Sequence, residues 1–218
     1  MSYVMRPMLI EDIPQVSEIE REAFPTQWPP PPFKRDLNNK KIHYVVAFEE
    51  ANGPYHRSEI NEYRSDGNYQ SLLLKIKRLF NKEQSSNRGV ATRDNQDIVG
   101  YASLWFMVDE AHLTSIAVRE KHRGRGIGEL LVISTMNLAI RHNAQMVILE
   151  VRASNLSAQA LYEKYGFVTI GVRRGYYTDN AEDAVVMEVG GITSVPYQAF
   201  LQKLKQTYAQ RWGAIEGI

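Results

Sequence analysis

The stretch Ile116-Ala117-Val118-Arg119-Glu120-Lys121-His122-Arg123-Gly124-Arg125-Gly126-Ile127-Gly128-Glu129-Leu130-Leu131 constrains this chain more than any other. Alternate glycines stand in it between a β-branched run and an apolar-periodic one. A chain spelled this way leaves a strand, turns tightly and enters a helix. Glycines let backbone N–H groups approach a ligand closely, and the head of the following helix adds partial positive charge, so the turn suits a pyrophosphate. Lys121, His122, Arg123 and Arg125 add cationic side chains. A connection that is merely tight would be spelled the same way, so from these residues alone both readings stand.

Two nucleotide-binding alternatives are tested by spelling. A P-loop needs Lys and then Ser or Thr after its last glycine, whereas Gly128 is followed by Glu129 and Leu130. That reading fails. A dinucleotide fold wants G-x-G-x-x-G with an acidic residue at the end of the next strand; Gly124-x-Gly126-x-Gly128 has the wrong spacing, although Glu150 falls near the acidic position.

Around this turn the periodicity predicts an alternating α/β chain. Strands are expected at Tyr3 to Met8, His43 to Phe48, Ile98 to Val108, Leu113 to Val118, Met146 to Arg152, Val168 to Val172 and Ala184 to Val189. Helices are expected at Ile13 to Phe24, Gly126 to His142 and Ser157 to Tyr165, with a short helical piece at Phe33 to Leu37 after the stiff Pro29 to Pro32 run. The close spacing of two central strands predicts an antiparallel pair, and the whole predicts a mixed sheet flanked by helices. Residues 50–96 look inserted between two strands, around an amphipathic stretch with Leu72, Ile76, Leu79 and Phe80 on one face. The tail from 190 to 218 carries Phe200, Leu201, Leu204, Tyr208 and Trp212 at helical spacing and is expected to dock as an extra helix beyond a domain spanning 1–189.

Composition narrows the function classes. The 218 residues include 26 Lys plus Arg against 25 Asp plus Glu, which argues against general nucleic-acid binding. Zero cysteine excludes a disulfide scaffold, a thiolate metal site and an acyl-cysteine intermediate. His112, His122 and His142 show no metal-ligand spacing, so no metal is expected. The first residues lack the apolar core of a signal peptide and no apolar run is long enough to span a bilayer, so the expectation is a soluble cytoplasmic protein.

The spacing Arg123-x-x-Gly126-x-Gly128 after a strand resembles the acetyl-CoA pyrophosphate motif of the GNAT acetyltransferase superfamily. The likeness continues through Leu149-Glu150-Val151-Arg152-Ala153-Ser154-Asn155, Ala160-Leu161-Tyr162-Glu163, Tyr165-Gly166-Phe167 and Arg173-Arg174-Gly175-Tyr176-Tyr177 with Glu182-Asp183-Ala184. Together these look like the RimI-type ribosomal-protein-alanine N-acetyltransferases and cover most of residues 112–188. More loosely, Ile19-Glu20-x-x-Ala23-Phe24-Pro25 and Trp28 resemble the family's first helix and loop. Gly175 and Thr178 depart from the Asn and Pro usual on either side of the tyrosine pair.

The resemblance implies an acyl-CoA N-acyltransferase fold, acetyl-CoA as donor, a protein N-terminus as acceptor and direct attack in a ternary complex. It assigns Glu150 as general base and Tyr162 as general acid. It places Ile116, Ala117 and Val118, the turn residues Arg123, Gly124, Arg125, Gly126, Ile127 and Gly128, and Asn155 on the cofactor. Tyr176, Tyr177 and Trp28 would line the acceptor slot. From the residues themselves, Glu150 in an apolar strand could equally be one half of an ion pair, Tyr162 a packed aromatic and Asn155 a helix cap. A lysine, polyamine or amino-sugar acceptor, or a non-catalytic acyl-CoA-binding scaffold, remain as other readings of the same fold.

Overall fold

The computed structural model describes residues 3–26, 31–49 and 96–215. The amphipathic stretch at 72–82 and Trp28 lie outside the described residues, as does the expected insertion up to residue 95. A seven-stranded sheet runs in the order β1-β2-β3-β4-β5-β7-β6. Its strands are β1 (Tyr3–Pro7), β2 (Ile42–Glu49), β3 (Ile98–Met107), β4 (Glu110–Val118), β5 (Met146–Arg152), β6 (Val168–Tyr177) and β7 (Glu182–Gly190). The helices are α1 (Ile13–Ala23), the short α2 (Phe33–Asp36), α3 (Ile127–Arg141), α4 (Leu156–Lys164) and α5 (Val195–Trp212). Neighbouring strands pair antiparallel except β4 and β5, which are parallel and linked through α3.

Alternation along the strands builds two cores. Val45 and Ala47 of β2 join Leu130, Leu131, Ile133 and Met136 of α3 on one face. Tyr44 and Val46 turn to the other, against Val16 and Ile19 of α1 and Phe33 of α2. Burying a leucine or isoleucine side chain fully contributes about 1.5–3 kcal/mol, so the run of apolar positions on α3 is what holds the head of that helix on the sheet.

Gly100 lets it come close. A Cβ there would stand 2.8 Å from the carbonyl oxygen of Ala117 and 3.2 Å from Leu131, so any larger residue would push β3, β4 or the first turns of α3 apart.

The middle of the sheet parts. β3 and β4 run in register until Ser103 faces Ser115, after which Leu104 faces Leu113 and Thr114 is left bulged. Pairing of β4 with β5 is confined to Glu110 through Leu113 against Met146 through Leu149. Beyond Leu113 the two strands have no ladder between them, while β5 stays bonded to β7 through Glu150 and Arg152.

β6 and β7 extend further than periodicity suggested. The register jumps from Arg173↔Ala184 to Tyr177↔Glu182, a bulge on β6 that Gly175 enters with φ +60. Asp183 fixes it by accepting from the Gly175 N–H at 2.9 Å and from Arg174 at 2.5 Å. The stretch that reads as loop is therefore strand, held by a carboxylate from its partner.

Candidate active site

The head of α3 has no capping side chain. Gly126 is its N-cap at φ +80, and the first intrahelical bond runs from the Leu130 N–H to the Gly126 carbonyl at 2.9 Å. The N–H groups of Gly126, Ile127, Gly128 and Glu129 thus have no intrahelical acceptor. Gly124, at φ +74, has open space where a side chain would stand, and Lys121, Arg123 and Arg125 are exposed around the turn. Arg123 also donates its Nε–H to the Val118 carbonyl at 3.4 Å, tying turn to strand. His122 differs from the expectation of a cationic side chain. It is buried, and burial together with Lys121 and Arg125 pushes its pKa below the ordinary imidazole value, so it sits in the turn as a neutral packing group.

Glu150 stands just past the last β4–β5 pair, at the opening of the gap. Its side chain is 17% exposed and pairs with Arg173 of β6 at 3.0 Å. Tyr162 of α4 is 4% exposed, packed 5.7 Å from Phe167, and burial holds its phenol well above the ordinary value. Tyr177 lies between them electrostatically: it raises Tyr162, and it is itself pushed up to about 12 by burial, with Glu150 adding to the rise and Arg152 opposing it. Both phenols are protonated and able to donate.

Arg152, at the end of β5, organises the rim. Its guanidinium lies 4.0 Å from the Tyr177 ring centroid and binds Asp179 at 2.8 Å and Glu182 at 3.0 Å. Glu182 also accepts from the Ser154 N–H at 2.8 Å, and Ser154, through its side chain first and then its backbone, followed by Arg152 and Asn180, holds its carboxyl down to about 2. Asp179 accepts from the Thr26 hydroxyl at 2.8 Å. Thr26, just after α1, is thereby tied to the β6–β7 turn.

Tyr177 is within electrostatic reach of both Glu150 and Tyr162, Glu150 stands just past the point where β4 and β5 part, and Asn155 heads the helix that carries Tyr162. Asn155 is the cap of α4, accepting from the Ala158 N–H at 3.1 Å. Ile116 and Val118 are half-buried and Ala117 is buried on β4, all beyond the point where β5 leaves. Tyr176 is 43% exposed on the outer side, edge-on to Tyr177. Sequence reasoning missed Arg173, Asp179, Thr26 and the packing of Trp212 on the turn; of these only Arg173, inside a quoted motif, left any signal. Among the described residues no cluster of three or more His, Asp or Glu could hold a metal, and no helix is long and apolar enough to cross a membrane.

Residues 54–167 match the model of the acetyltransferase (GNAT) family. A Bacillus subtilis protein provisionally named as a ribosomal protein bS18-alanine N-acetyltransferase is 32% identical over 186 residues, covering 85% of this chain and 93% of that one. The crystal structure of the ribosomal-protein-S18-alanine N-acetyltransferase from Escherichia coli superposes with a TM-score of 0.60 at 23% identity, over 87% of this chain and 94% of that one. A GNAT family acetyltransferase from Elizabethkingia anophelis, solved with acetyl-CoA bound, has a TM-score of 0.55 at 16% identity, over 87% and 98% of the two chains.

Proposed function

This chain belongs to the GNAT acetyltransferase family, and from that premise we propose that it moves the acetyl group of acetyl-CoA onto the N-terminal amine of a protein, a ribosomal protein beginning with alanine being the acceptor its relatives suggest. The observation that carries this reading is the parting of β4 and β5 at Glu150, with Tyr177 in electrostatic reach of both Glu150 and Tyr162, in a fold whose α3 begins with N–H groups that have no intrahelical acceptor.

In this reading the turn from Arg123 to Gly128 holds the pyrophosphate and the free edge of β4 at Ile116 to Val118 receives the amide-bearing arm. Asn155 flanks that arm. An N–H of β4 polarises the thioester carbonyl as the amine attacks. Glu150 takes the proton from the ammonium, directly or through water, and the carbon–nitrogen bond forms as the carbon–sulfur bond breaks. Tyr162 gives its proton to the departing thiolate. Tyr176 and Tyr177 bound the acceptor slot on one side, and Trp28 is assigned to it by resemblance alone. No metal enters the scheme, and the cytoplasm is the expected compartment.

An α-amine suits a single carboxylate base. With a pKa of about 7.7–8.0 it is roughly a third neutral at pH 7.5, against about 0.1% for a lysine. The test pairs two peptides of one sequence that begin with Ala and contain one internal Lys, one free and one already acetylated at its N-terminus. Acetylation is expected on the first alone, at its α-amine by mass spectrometry. Equal lysine modification on both would replace this reading by the lysine or small-amine one, and no transfer to any amine would leave an acyl-CoA-binding scaffold.

A further inference from the structure

We infer that α5 supplies part of the acyl-CoA site, with Trp212 and Arg211 engaging the nucleoside-diphosphate end of the cofactor. The inference rests on the proposal that residues 123–128 hold that end.

Trp212 lies directly on the turn. Three of its indole carbons stand 2.8–2.9 Å from where a Cβ on Gly126 would be, so the ring packs against the bare Cα of the residue that caps α3. Gly126 is therefore needed twice, for its left-handed backbone and for the room its missing side chain leaves to an aromatic ring 86 positions later. Arg211 is exposed, and its guanidinium lies 4.8 Å from the Trp212 ring centroid. An indole and a cation are thus added to a turn already flanked by Arg123 and Arg125. A flat apolar surface beside a fixed positive charge is the chemistry that a purine and its phosphates recognise.

The pair is placed firmly. The Tyr197 hydroxyl donates to the Tyr165 carbonyl at 2.9 Å, and Leu201 and Tyr208 are buried against the α3 side of the core. Tyr165 and Lys164 in turn both donate to Glu129 in the first turn of α3, at 2.9 and 2.5 Å. The helix ends immediately after Trp212, at Gly213 with φ +99. The last two residues of α5 are therefore Arg211 and Trp212, and the ring of the second lies on the turn.

The test uses the full chain with two donors, acetyl-CoA and S-acetyl-pantetheine, which lacks adenosine and phosphates. Arg211→Gln and Trp212→Ala should each raise the acetyl-CoA KM by about tenfold while kcat stays within about twofold. With S-acetyl-pantetheine both variants should match the parent, and Trp212→Phe should recover most of the acetyl-CoA affinity. Arg211 is exposed, so its variant remains informative if Trp212→Ala does not fold. Unchanged acetyl-CoA KM in the variants, an equal loss with both donors, or tighter binding on removing the ring would each overturn the inference while leaving the cofactor turn in place. A parent that uses neither donor would overturn the cofactor reading, and this inference with it.

Discussion

Arg173 on β6 holds its guanidinium 3.0 Å from a carboxylate oxygen of Glu150 on β5, so the group proposed as base sits in the fold with a cation already attached. An incoming ammonium must share or displace that partner. Arg173 is 54% exposed, and its guanidinium also lies over the Tyr176 ring, 5.5 Å from its centroid.

Glu150→Gln keeps the shape and removes the proton acceptor, so kcat should fall on the order of 10²-fold with acetyl-CoA binding retained. Arg173→Gln removes the competitor instead. The acceptor KM should drop about threefold at low ionic strength, and the gain should shrink as salt screens the site. Steady-state kinetics at two salt concentrations checks both; full activity in Glu150→Gln would remove it as the base.

The His43 and His142 rings lie 4.4 Å apart, and His142 stacks on Phe106 at the same distance. Burial lowers the pKa of both; His43 and Arg141 add to the lowering at His142, while the hydrogen bond with the Lys40 carbonyl opposes it at His43. In the fold these imidazoles bind fewer protons than in the unfolded chain, so stability is complete above the unfolded value of 6.5 and declines as pH falls below it. Thermal melts should show a falling Tm from pH 7 to pH 5, and His142→Phe should flatten that slope.

Glu20 behaves oppositely. It lies on the buried face of α1, 3% exposed, accepts from the Tyr101 hydroxyl, and has its other carboxyl oxygen buried without a partner among the described residues. Burial raises its pKa from 4.5 to about 7, so the folded chain holds the proton more tightly and stability is lost as pH rises through that window. Glu20→Gln keeps an acceptor for Tyr101 and cannot ionise. Urea titrations should find it more stable than the parent at pH 8, by on the order of 2–3 kcal/mol, with the difference closing by pH 5.

The Glu49 N–H donates to the Asp97 carbonyl at 3.3 Å and Phe48 faces Ile98, so β2 and β3 are already neighbours where residues 50–95 leave and return. Replacing residues 52–94 with a short turn should preserve a cooperative melt and acetylation of short peptides within about threefold. A chain that no longer folds would place the insertion in the core. Loss confined to protein acceptors would make it a docking element.

What the sequence made legible was local. The strand, turn and helix around Gly126, the placing of Glu150 in β5 and of Tyr162 in α4, and the tail helix all follow from spacing within a few turns of chain. The rest depends on distant partners. Nothing near Thr114 marks it as the bulge where the sheet parts, because that is set by how β3 and β4 register. Gly100 reads as an isolated strand glycine until the Ala117 carbonyl is seen against it. Arg173 finds Glu150 only through the register that β7 imposes between them, and Trp212 finds Gly126 through the way α5 docks.

The parting of β4 from β5 means that the finished fold contains two strand edges in its interior, each with peptide groups facing a space that no other strand fills. Ordinarily such edges invite pairing from outside. If the proposed donor lodges there, thermal stability becomes a property of solution composition, because an extended, amide-bearing molecule in the gap would bind the native chain and not the unfolded one. At a hundred times its Kd such an occupant would add about 2.7 kcal/mol. The donor would then act as substrate and as a removable central strand, and the melting temperature would register how full the cell's supply of it is.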